Sequence, residues 1–357
     1  MVATAEISAR PLLSGWIGSI AQRVYATAIG ARNRRFDEGR GVTRLPIPVI
    51  SIGNLSVGGT GKTPMVMYIV SLLLRAGARP CIAMRGYTRG TAAHAAIPDE
   101  TALYRETFPD VAVVAQPDRI AGIRAELAKA EAAARPTCVV LDDGFQHRRI
   151  ARDVDIVLID ATRPPHRDRL LPAGWLREPV ASLARADLVA LTHTEQCEPA
   201  MLKELRDVIR RVHRGPPEII ARHVWTALRE GDRTLPLDVL LGKRVLPVCA
   251  IGNPGAFLHT LRRTMHEDTT HAGAVLEPIV LRDHDPYSAE TVKRVAEAAR
   301  SGKAEAIVTT EKDWAKLRTT PARTFPCPVW RPVLELVFTE GREEVEDAVL
   351  AAAAPKP

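Results

Sequence analysis

The feature that most constrains the fold is a strand that runs into a glycine-rich turn and then into a helix. Residues 48–54 form an apolar run, residues 58–63 read GGTGKT, and an apolar helical pattern opens with Pro64. Glycines let backbone N–H groups approach phosphate oxygens, and the first turn of a helix adds partial positive charge. Proline suits that turn because its missing N–H is not needed there. The segment therefore predicts a phosphate-binding loop.

Two side chains of this loop have specific chemical tasks. Lys62 can reach the β- and γ-phosphates of a nucleotide, and the Thr63 hydroxyl can bind Mg²⁺. The usual pattern, GxxxxGK[ST], has glycine where this chain has Ser56. The plainer alternative is a glycine-rich turn that binds nothing. The nucleotide-binding residues predicted for the loop are Ser56, Val57, Gly58, Gly59, Thr60, Gly61, Lys62 and Thr63.

A second candidate site lies where an apolar strand ends in two carboxylates. Residues 137–147 read TCVVLDDGFQH, so Asp142 and Asp143 close the strand. Carboxyl ends of parallel strands face the ligand crevice, where an acid can hold Mg²⁺ directly or through water. Adjacent strand residues point to opposite sides, so the two acids should have different roles unless the chain turns between them. Gln146 and His147 follow and are candidates to position a phosphate or substrate group. For the two aspartates, the alternative to a metal site is a helix cap or a turn.

Short apolar runs alternate with helical patterns along the first two-thirds of the chain. Continuous apolar strands of this kind indicate an α/β fold with a parallel sheet and helices on both faces, as in P-loop NTPases. The predicted strands are residues 48–52, 80–84, 138–141, 155–159 and 188–191, with helices at 65–76 and 119–134.

The length of 357 residues exceeds what one hydrophobic core usually serves, so two domains are expected. A break falls at residues 214–217 (RGPP), and a second αβ pattern follows, with strands at 244–251, 275–281, 306–309 and 329–336 and helices at 255–263 and 288–301. The predicted organisation is an N-terminal amphipathic helix at 1–36, a nucleotide-binding domain at 37–213, a smaller α/β domain at 214–350 that closes over the site, and a tail at 351–357.

Charge and cysteine content limit the class of protein. The net charge of +7 favours an acidic partner, which bulk charge alone does not identify: nucleic acid, an anionic membrane or a phosphorylated substrate. The five cysteines are scattered without a CxxC pair, which argues against a disulfide framework and a zinc site. A reducing cytoplasmic compartment fits this pattern.

The N-terminal segment has apolar residues at helical spacing. They run from Leu12 to Ile29, and a basic cluster follows at Arg32, Arg34 and Arg35. No uncharged apolar run of about 18 residues occurs here, so a spanning helix is not expected. A helix with a tryptophan and flanking arginines can lie in a membrane interface. The alternative is a helix packed on the protein's own core.

If the phosphate is transferred to a hydroxyl group, some side chain must accept the proton. Asp99 follows a stretch rich in glycine and alanine, and His284 ends a strand-like run of the second domain. An Asp–His pair across a cleft would make a proton acceptor with a tunable pKa. The plainer interpretation is a solvated acid and a structural histidine.

The assembled motifs resemble the tetraacyldisaccharide 4′-kinase family, the lipid A 4′-kinases. The resemblance extends from about residue 12 to about residue 340. The matching stretches are residues 48–64 (PVISIGNLSVGGTGKTP), 85–87 (RGY), 141–149 (LDDGFQHRR), 171–179 (LPAGWLREP), 283–284 (DH) and 309–313 (TTEKD). Ser56 fits this family, whose loop carries a small hydroxyl residue at that place.

The resemblance implies an activity, cofactors and partners. The γ-phosphate of ATP would go to the 4′-hydroxyl of an acylated glucosamine disaccharide 1-phosphate, a lipid A precursor, with Mg²⁺ as the metal. It also implies a peripheral location at the cytoplasmic face of the bacterial inner membrane, with the N-terminal helix as anchor on an anionic surface. We expect a monomer and no nucleic-acid partner.

The resemblance also assigns roles to residues. It gives Lys62 and Thr63 to the nucleotide, Asp142 and Asp143 to the acidic strand end, and a further metal contact to Glu178, beside Arg177. Its Gln–His pair matches Gln146 and His147, and its proton-accepting pair matches Asp99 and His284. Two departures stand out: proline precedes Asp99 where the family has glycine, and Asp285 follows His284 where histidine is common.

Two other classes of protein compete with a kinase. A P-loop switch protein that hydrolyses GTP or ATP would read guanine through [NT]KxD, but residues 310–313 read TEKD and lie in the second domain. A membrane- or nucleic-acid-binding module would leave GGTGKT and DDGFQH without a purpose.

Overall fold

In the computed structural model the described residues are 12–86, 99–128, 135–216, 218–266, 273–282, 285–318 and 320–354, and of Asp99 and Ala322 the backbone alone is described. His284, predicted to help accept a proton, therefore lies outside the described residues. The helices within these ranges are α1 (Gly15–Asp37), α2 (Lys62–Arg75), α3 (Asp99–Thr107), α4 (Arg119–Ala128), α5 (Pro199–Val212), α6 (Pro254–His266), α7 (Ala289–Ser301), α8 (Glu311–Leu317) and α9 (Arg342–Ala353).

The strands form a single, mostly parallel sheet. They are β1 (Val49–Asn54), β2 (Pro80–Met84), β3 (Ala112–Ala115), β4 (Cys138–Asp142), β5 (Val154–Asp160), β6 (Leu188–Thr192), β7 (Ile219–Glu230), β8 (Arg233–Leu235), β9 (Arg244–Cys249), β10 (Ala274–Val275), β11 (Ile279–Val280), β12 (Ala306–Thr309) and β13 (Val329–Glu340). The order is β10-β9-β12-β13-β7-β6-β5-β1-β4-β2-β3, with β11 beside β9 and β8 beside β7. The predicted α/β fold class is confirmed.

Helices cover both faces of the parallel strands. On one face, Ile69 of α2 and Val345 and Val349 of α9 pack in one core with alternate residues of β1 and β4. On the other face, α4 and α5 bury Ile123 and Leu205 against the intervening strand residues. All six residues of β1 are buried. Strand β1 is thus covered on both faces, and the loop that follows it leaves the sheet between β5 and β4.

Two long strands link the predicted nucleotide-binding domain (residues 37–213, the first unit) to the predicted smaller domain (residues 214–350, the second unit). Strand β7 pairs in parallel with β6 at residues 219–221 and then runs antiparallel to β13. The start of β13 pairs with β12 of the second unit. The boundary near residue 214 stays a prediction. Strands β7 and β13 both follow it in the chain, yet β7 pairs with β6 of the first unit.

The sequence-based expectation lacked β3, β7, β8, α3, α5, α8 and α9, and the bounds of the predicted strand at 275–281 and of the predicted tail differ in the structure. The strand predicted at 275–281 is two short strands, β10 and β11, because Pro278 between them has no N–H to continue the ladder. The tail predicted from residue 351 begins later, because α9 continues to Ala353 and packs on the first core.

Replacing Val349 by alanine should lower the free energy of unfolding by about 2 kcal/mol, because buried methyl groups are lost and a small cavity remains. The matched control is Asp347→Ala on the exposed side of the same helix, which should change stability by less than about 0.5 kcal/mol. Urea denaturation measures both. Equal effects would contradict the packing of α9 on the first core.

Candidate nucleotide-binding site

The loop after β1 is held in place by a neighbouring backbone segment. The N–H of Val57 donates to the carbonyl of Trp175 at 2.8 Å, and the N–H of Arg177 donates to the carbonyl of Leu55 at 2.7 Å. Ser56 forms an antiparallel bridge within this pairing. The start of the loop is therefore fixed before any ligand binds, which lowers the entropy lost on binding.

Buried side chains fix the interior of the loop. The Asn54 side chain donates to the Thr60 hydroxyl at 3.0 Å, and the Thr192 hydroxyl donates to the Thr60 carbonyl at 3.2 Å. All three residues are buried. Gly58 and Gly61 have φ values of 126° and 82°, which favour glycine. Gly61 directly precedes α2, so Lys62 stands at the N-terminus of that helix.

His223 of β7 packs against the loop and was not among the site residues predicted from the sequence. A Cβ added to Gly61 would lie 2.1 Å from Cε1 of the His223 ring. Burial, together with the neighbouring His193, lowers the pKa of His223 to about 4, so the imidazole is neutral near pH 7. A strand prediction at residues 219–230 would have placed His223 in the same sheet as the loop-bearing strand β1.

Lys62, Asp143 and Arg177 form a cluster of charges at the mouth of the loop. Nζ of Lys62 lies 3.5 Å from Oδ1 of Asp143, and Nη1 of Arg177 lies 2.9 and 2.7 Å from the two Asp143 oxygens. Burial alone would raise the pKa of Asp143, but Lys62 and Arg177 outweigh it and bring that pKa to about 2. Burial lowers the pKa of Lys62, and Asp143 opposes this shift. Asp143 is thus an anion that stabilises the lysine ammonium.

Asp142 has a different environment from its neighbour. It ends β4 and is buried, and one carboxylate oxygen accepts a hydrogen bond from the Tyr104 hydroxyl at 3.0 Å. Asp143 has a φ of 52°, so the chain turns between the two acids. Burial raises the pKa of Asp142, while Lys62 lowers it. Tyr104 also gave no signal in the sequence analysis, because its partner lies 38 residues away.

Gln146 and His147 follow the acidic strand end, and the structure describes both. Their role in positioning a phosphate or substrate group stays a prediction. The Gln146 side chain donates to the carbonyl of Asn54 at 2.9 Å and accepts from Arg177 at 3.4 Å, so it braces the strand that carries the loop. Burial and the charge of Arg119 lower the pKa of His147 to about 4. Its Nε2 is buried without a hydrogen-bond partner among the described residues. His147 is therefore a neutral imidazole near pH 7.

Glu178 occupies a different setting from the metal contact that was predicted. It is fully buried, and its two oxygens accept hydrogen bonds from Arg185 at 3.0 Å and from Asn33 of α1 at 2.7 Å. Both oxygens are thus engaged with protein groups. This arrangement favours a structural role, in which Glu178 joins α1 to the segment that holds the loop.

The residues present fit a magnesium ion bound together with nucleotide phosphates. Burial raises the pKa of Tyr104, and the nearby Thr63 side chain opposes this shift, so Thr63 and Asp142 both lie close to the Tyr104 hydroxyl. A hydroxyl and a carboxylate are hard oxygen ligands, and Mg²⁺ usually takes only one or two of them from a protein when phosphates supply the rest. A cage of three or more acids, histidines or cysteines does not occur in the part of the chain that the structure describes.

The predicted proton acceptors can be located only in part. Asp99 is the first residue of α3, the helix whose Tyr104 contacts Asp142. The backbone of Asp99 therefore lies on an element that reaches the acidic strand end. The pairing with His284 stays a prediction.

Proteins that bind nucleoside triphosphates through a P-loop share this placement of a glycine loop beside an acidic strand end. The fold and the site put the chain in that class.

Comparison with known proteins identifies the family within the class. A family profile described as tetraacyldisaccharide-1-P 4′-kinase (LpxK) matches residues 15–354. The chain is 34% identical over 354 residues to the tetraacyldisaccharide 4′-kinase of Chlorobaculum parvum, with 93% of each chain covered. It is 38% identical over 317 residues to that of Anaeromyxobacter dehalogenans strain 2CP-C, with 84% of this chain and 80% of the relative covered.

A solved structure agrees with these relatives. The structure of LpxK from Aquifex aeolicus in complex with ATP has a TM-score of 0.70 and 30% identity, and the match covers 93% of this chain and 97% of that one. The chain belongs to the tetraacyldisaccharide 4′-kinase family, which confirms the resemblance that its motifs indicated.

Gly61→Ala should destabilise the protein by about 1–3 kcal/mol, because alanine is strained at a φ of 82° and its Cβ would overlap His223. Gly59→Ala is the matched control, since the nearest atom to its Cβ would be the Asn253 nitrogen at 3.9 Å. Thermal unfolding measures both variants. Adding His223→Ala to Gly61→Ala should recover part of the loss, and no recovery would contradict the contact.

Proposed function

We propose that this chain is an ATP-dependent kinase that phosphorylates the 4′-hydroxyl of a tetraacylated glucosamine disaccharide 1-phosphate, a step of lipid A biosynthesis. The observation that carries the proposal is the cluster of Lys62, Asp143 and Arg177 at a P-loop in a chain of this family. A related enzyme from Aquifex aeolicus has been solved in complex with ATP. ATP is accordingly the proposed phosphate donor.

The protein's own groups account for the donor side of the reaction. Loop N–H groups and Lys62 stabilise negative charge on the phosphates. Because the loop is already fixed, these donors need not reorganise during the reaction. Thr63 and Asp142 would hold Mg²⁺, which supplies charge neutralisation at the phosphates when bound. Asp143 keeps Lys62 and Arg177 in place. Glu178 is left out of this metal site because both of its oxygens are engaged.

The acceptor side rests on the family resemblance. Asp99, at the start of α3, is proposed to accept the proton of the sugar hydroxyl, with His284 orienting it. The transfer is then direct and in line, from ATP to the hydroxyl. Because the second unit carries His284, we propose that this unit, residues 214–350, closes over the site during turnover.

Incubation with ATP labelled in the γ-phosphate tests the function. With the lipid disaccharide present, label should move to the lipid; without the lipid, little phosphate should be released. Phosphate released to water regardless of lipid would support a switch protein and contradict the kinase. Absence of turnover would support a binding module.

Lys62→Ala should lower kcat on the order of 10²-fold or more, because a preorganised charge at the phosphates is removed. Lys203→Ala, on an exposed position of α5, is the matched control and should retain normal turnover. Initial rates of label transfer measure both, with circular dichroism to show that each variant folds. Near-normal turnover of Lys62→Ala would contradict the assignment of residues 58–63 as the phosphate-binding loop.

The N-terminal helix supports a peripheral location on an anionic membrane. Four apolar residues of α1 are more than half exposed: Trp16 (74%), Ile17 (52%), Ile20 (54%) and Val24 (66%). The opposite face of α1 contacts the protein, where the Tyr25 hydroxyl donates to the carbonyl of Arg177 at 2.9 Å. Among the described residues, no helix has the length and apolarity needed to cross a bilayer.

An exposed apolar stripe beside the arginines of the same helix suits the interface of an anionic bilayer. We accordingly propose that α1 lies in the cytoplasmic face of the inner membrane, with the acylated substrate in the same surface. The chain is proposed to act as a monomer without a nucleic-acid partner.

Replacing Trp16 and Ile20 together by serine should weaken binding to anionic phospholipid vesicles by about tenfold or more, because apolar area buried in the interface is lost. Leu334→Ser is the control, since Leu334 is an exposed apolar residue (40%) on β13. Vesicle co-sedimentation measures both. Unchanged binding of the double variant would rule out α1 as the membrane contact.

A further inference from the structure

The TTEKD motif at residues 309–313 has no role in the site described above. Its residues build the start of α8 in the second unit. The Thr310 hydroxyl caps the helix by accepting from the N–H of Asp313, and the buried Asp313 carboxylate accepts from the N–H of Ala250 at 3.0 Å. Glu311 pairs with Arg331 of β13 at 2.8 Å. The motif therefore anchors the first turn of α8 to its own unit.

Lys312, between these anchored residues, extends towards the first unit. Its ammonium donates to a Glu100 carboxylate oxygen at 2.5 Å, across 212 residues of sequence. Glu100 is the second residue of α3, directly after Asp99. Both side chains are partly buried, with 34% and 23% of their surface exposed. The pair thus connects a rigid turn of the second unit to the first turn of α3.

Helix α3 connects that turn to the acidic strand end. Tyr104 lies four residues after Glu100, one helical turn further along α3, and its hydroxyl donates to Asp142 at 3.0 Å. The Tyr104 side chain is fully buried, so a shift of α3 must move its hydroxyl relative to Asp142 or break the hydrogen bond.

We propose that Lys312 is a positioning residue for phosphoryl transfer, whose ion pair with Glu100 fixes α3 and, through Tyr104, the orientation of Asp142. The proposal rests on the kinase function proposed above. The same turn of α3 begins with Asp99, so the pair also fixes the backbone from which the proposed proton acceptor extends.

The electrostatic environment is consistent with a location close to the reacting groups. Burial is the main reason that the pKa of Lys62 is lowered, and the positive charge of Lys312 contributes in the same direction. Burial likewise raises the pKa of Asp142, with a contribution from the charge of Glu100. Lys312 therefore acts on the P-loop lysine and Glu100 on the strand-end acid, unlike an ion pair on a distant surface.

A second ion pair between the same helices provides a matched control. Arg318, the residue that directly follows α8, lies 3.8 Å from Glu106 of α3, and both side chains are about half exposed, at 52% and 48%. An exposed pair of this kind contributes little to stability. Arg318→Ala should therefore leave kcat within about twofold of the unaltered protein.

Lys312→Ala should lower kcat on the order of 10- to 100-fold, since a displacement of about 1 Å at a catalytic group can have an effect of that size. The KM for ATP should stay within about twofold, because the loop that binds the phosphates is held by other contacts. Lys312→Arg should restore most of kcat, since it keeps the charge near Glu100. Thermal unfolding of each variant separates lost positioning from lost folding.

A double-mutant cycle tests the connection itself. If Lys312 acts through Glu100, combining Lys312→Ala with Glu100→Ala should lower kcat no further than the more severe single change. Multiplied effects would contradict the pairing. A higher KM for ATP with unchanged kcat would show instead that Lys312 only binds nucleotide, and normal kcat in Lys312→Ala would also overturn the proposal.

These outcomes differ from failure of the kinase function itself. If the unaltered protein transfers no phosphate to the lipid disaccharide, the proposed function fails. If it transfers phosphate and Lys312→Ala does so equally well, only the role of Lys312 fails.

Discussion

The ion pair between Asp143 and Arg177 is the contact on which the rest of the site depends. Arg177 pairs with the loop through its backbone N–H and holds Asp143 with its side chain. Asp143 in turn lies beside Lys62. Lys62 is largely withdrawn from water, with 16% of its side chain exposed, and an ammonium there without a counter-ion would be destabilised. Asp143 therefore keeps Lys62 charged until phosphate oxygens bind. Arg177 therefore maintains the shape of the loop through its backbone and the charge of Lys62 through Asp143. Helix α1 contacts the same residue, because the Tyr25 hydroxyl donates to the Arg177 carbonyl.

The second unit takes part in the site rather than only covering it. Strand β7, shared with the first unit, places His223 against Gly61. Helix α8 reaches α3 through Lys312 and Glu100. One of these contacts is made on the loop, and the other on the helix whose Tyr104 reaches the acidic strand end. A change in the angle between the units would therefore alter both the loop and the position of α3, so the proposed domain closure would act directly on the reacting groups.

The sequence was most informative where the chemistry is local. GGTGKT and the Asp142–Asp143 step could be predicted because each is a short segment between regular elements. Tyr104, His223 and Lys312 could not, because each meets its partner across a long stretch of chain, up to 212 residues for Lys312. Strand β7 was missed because its burial alternates only irregularly along its length.

For Glu178, the motif showed an acid near the site but not that Arg185 and Asn33 donate hydrogen bonds to it. Asp99 and His284 rest on the family resemblance.

Phosphate is proposed to pass in a single direct step from ATP to the sugar hydroxyl, with both substrates bound at once between the two units. The most direct test is the stereochemistry at the transferred phosphorus, using ATP made chiral at the γ-position with sulfur and oxygen isotopes. A single in-line displacement predicts inversion of configuration in the phosphorylated disaccharide. Retention would require a second displacement, such as a phosphorylated side chain of the protein, and would contradict the mechanism.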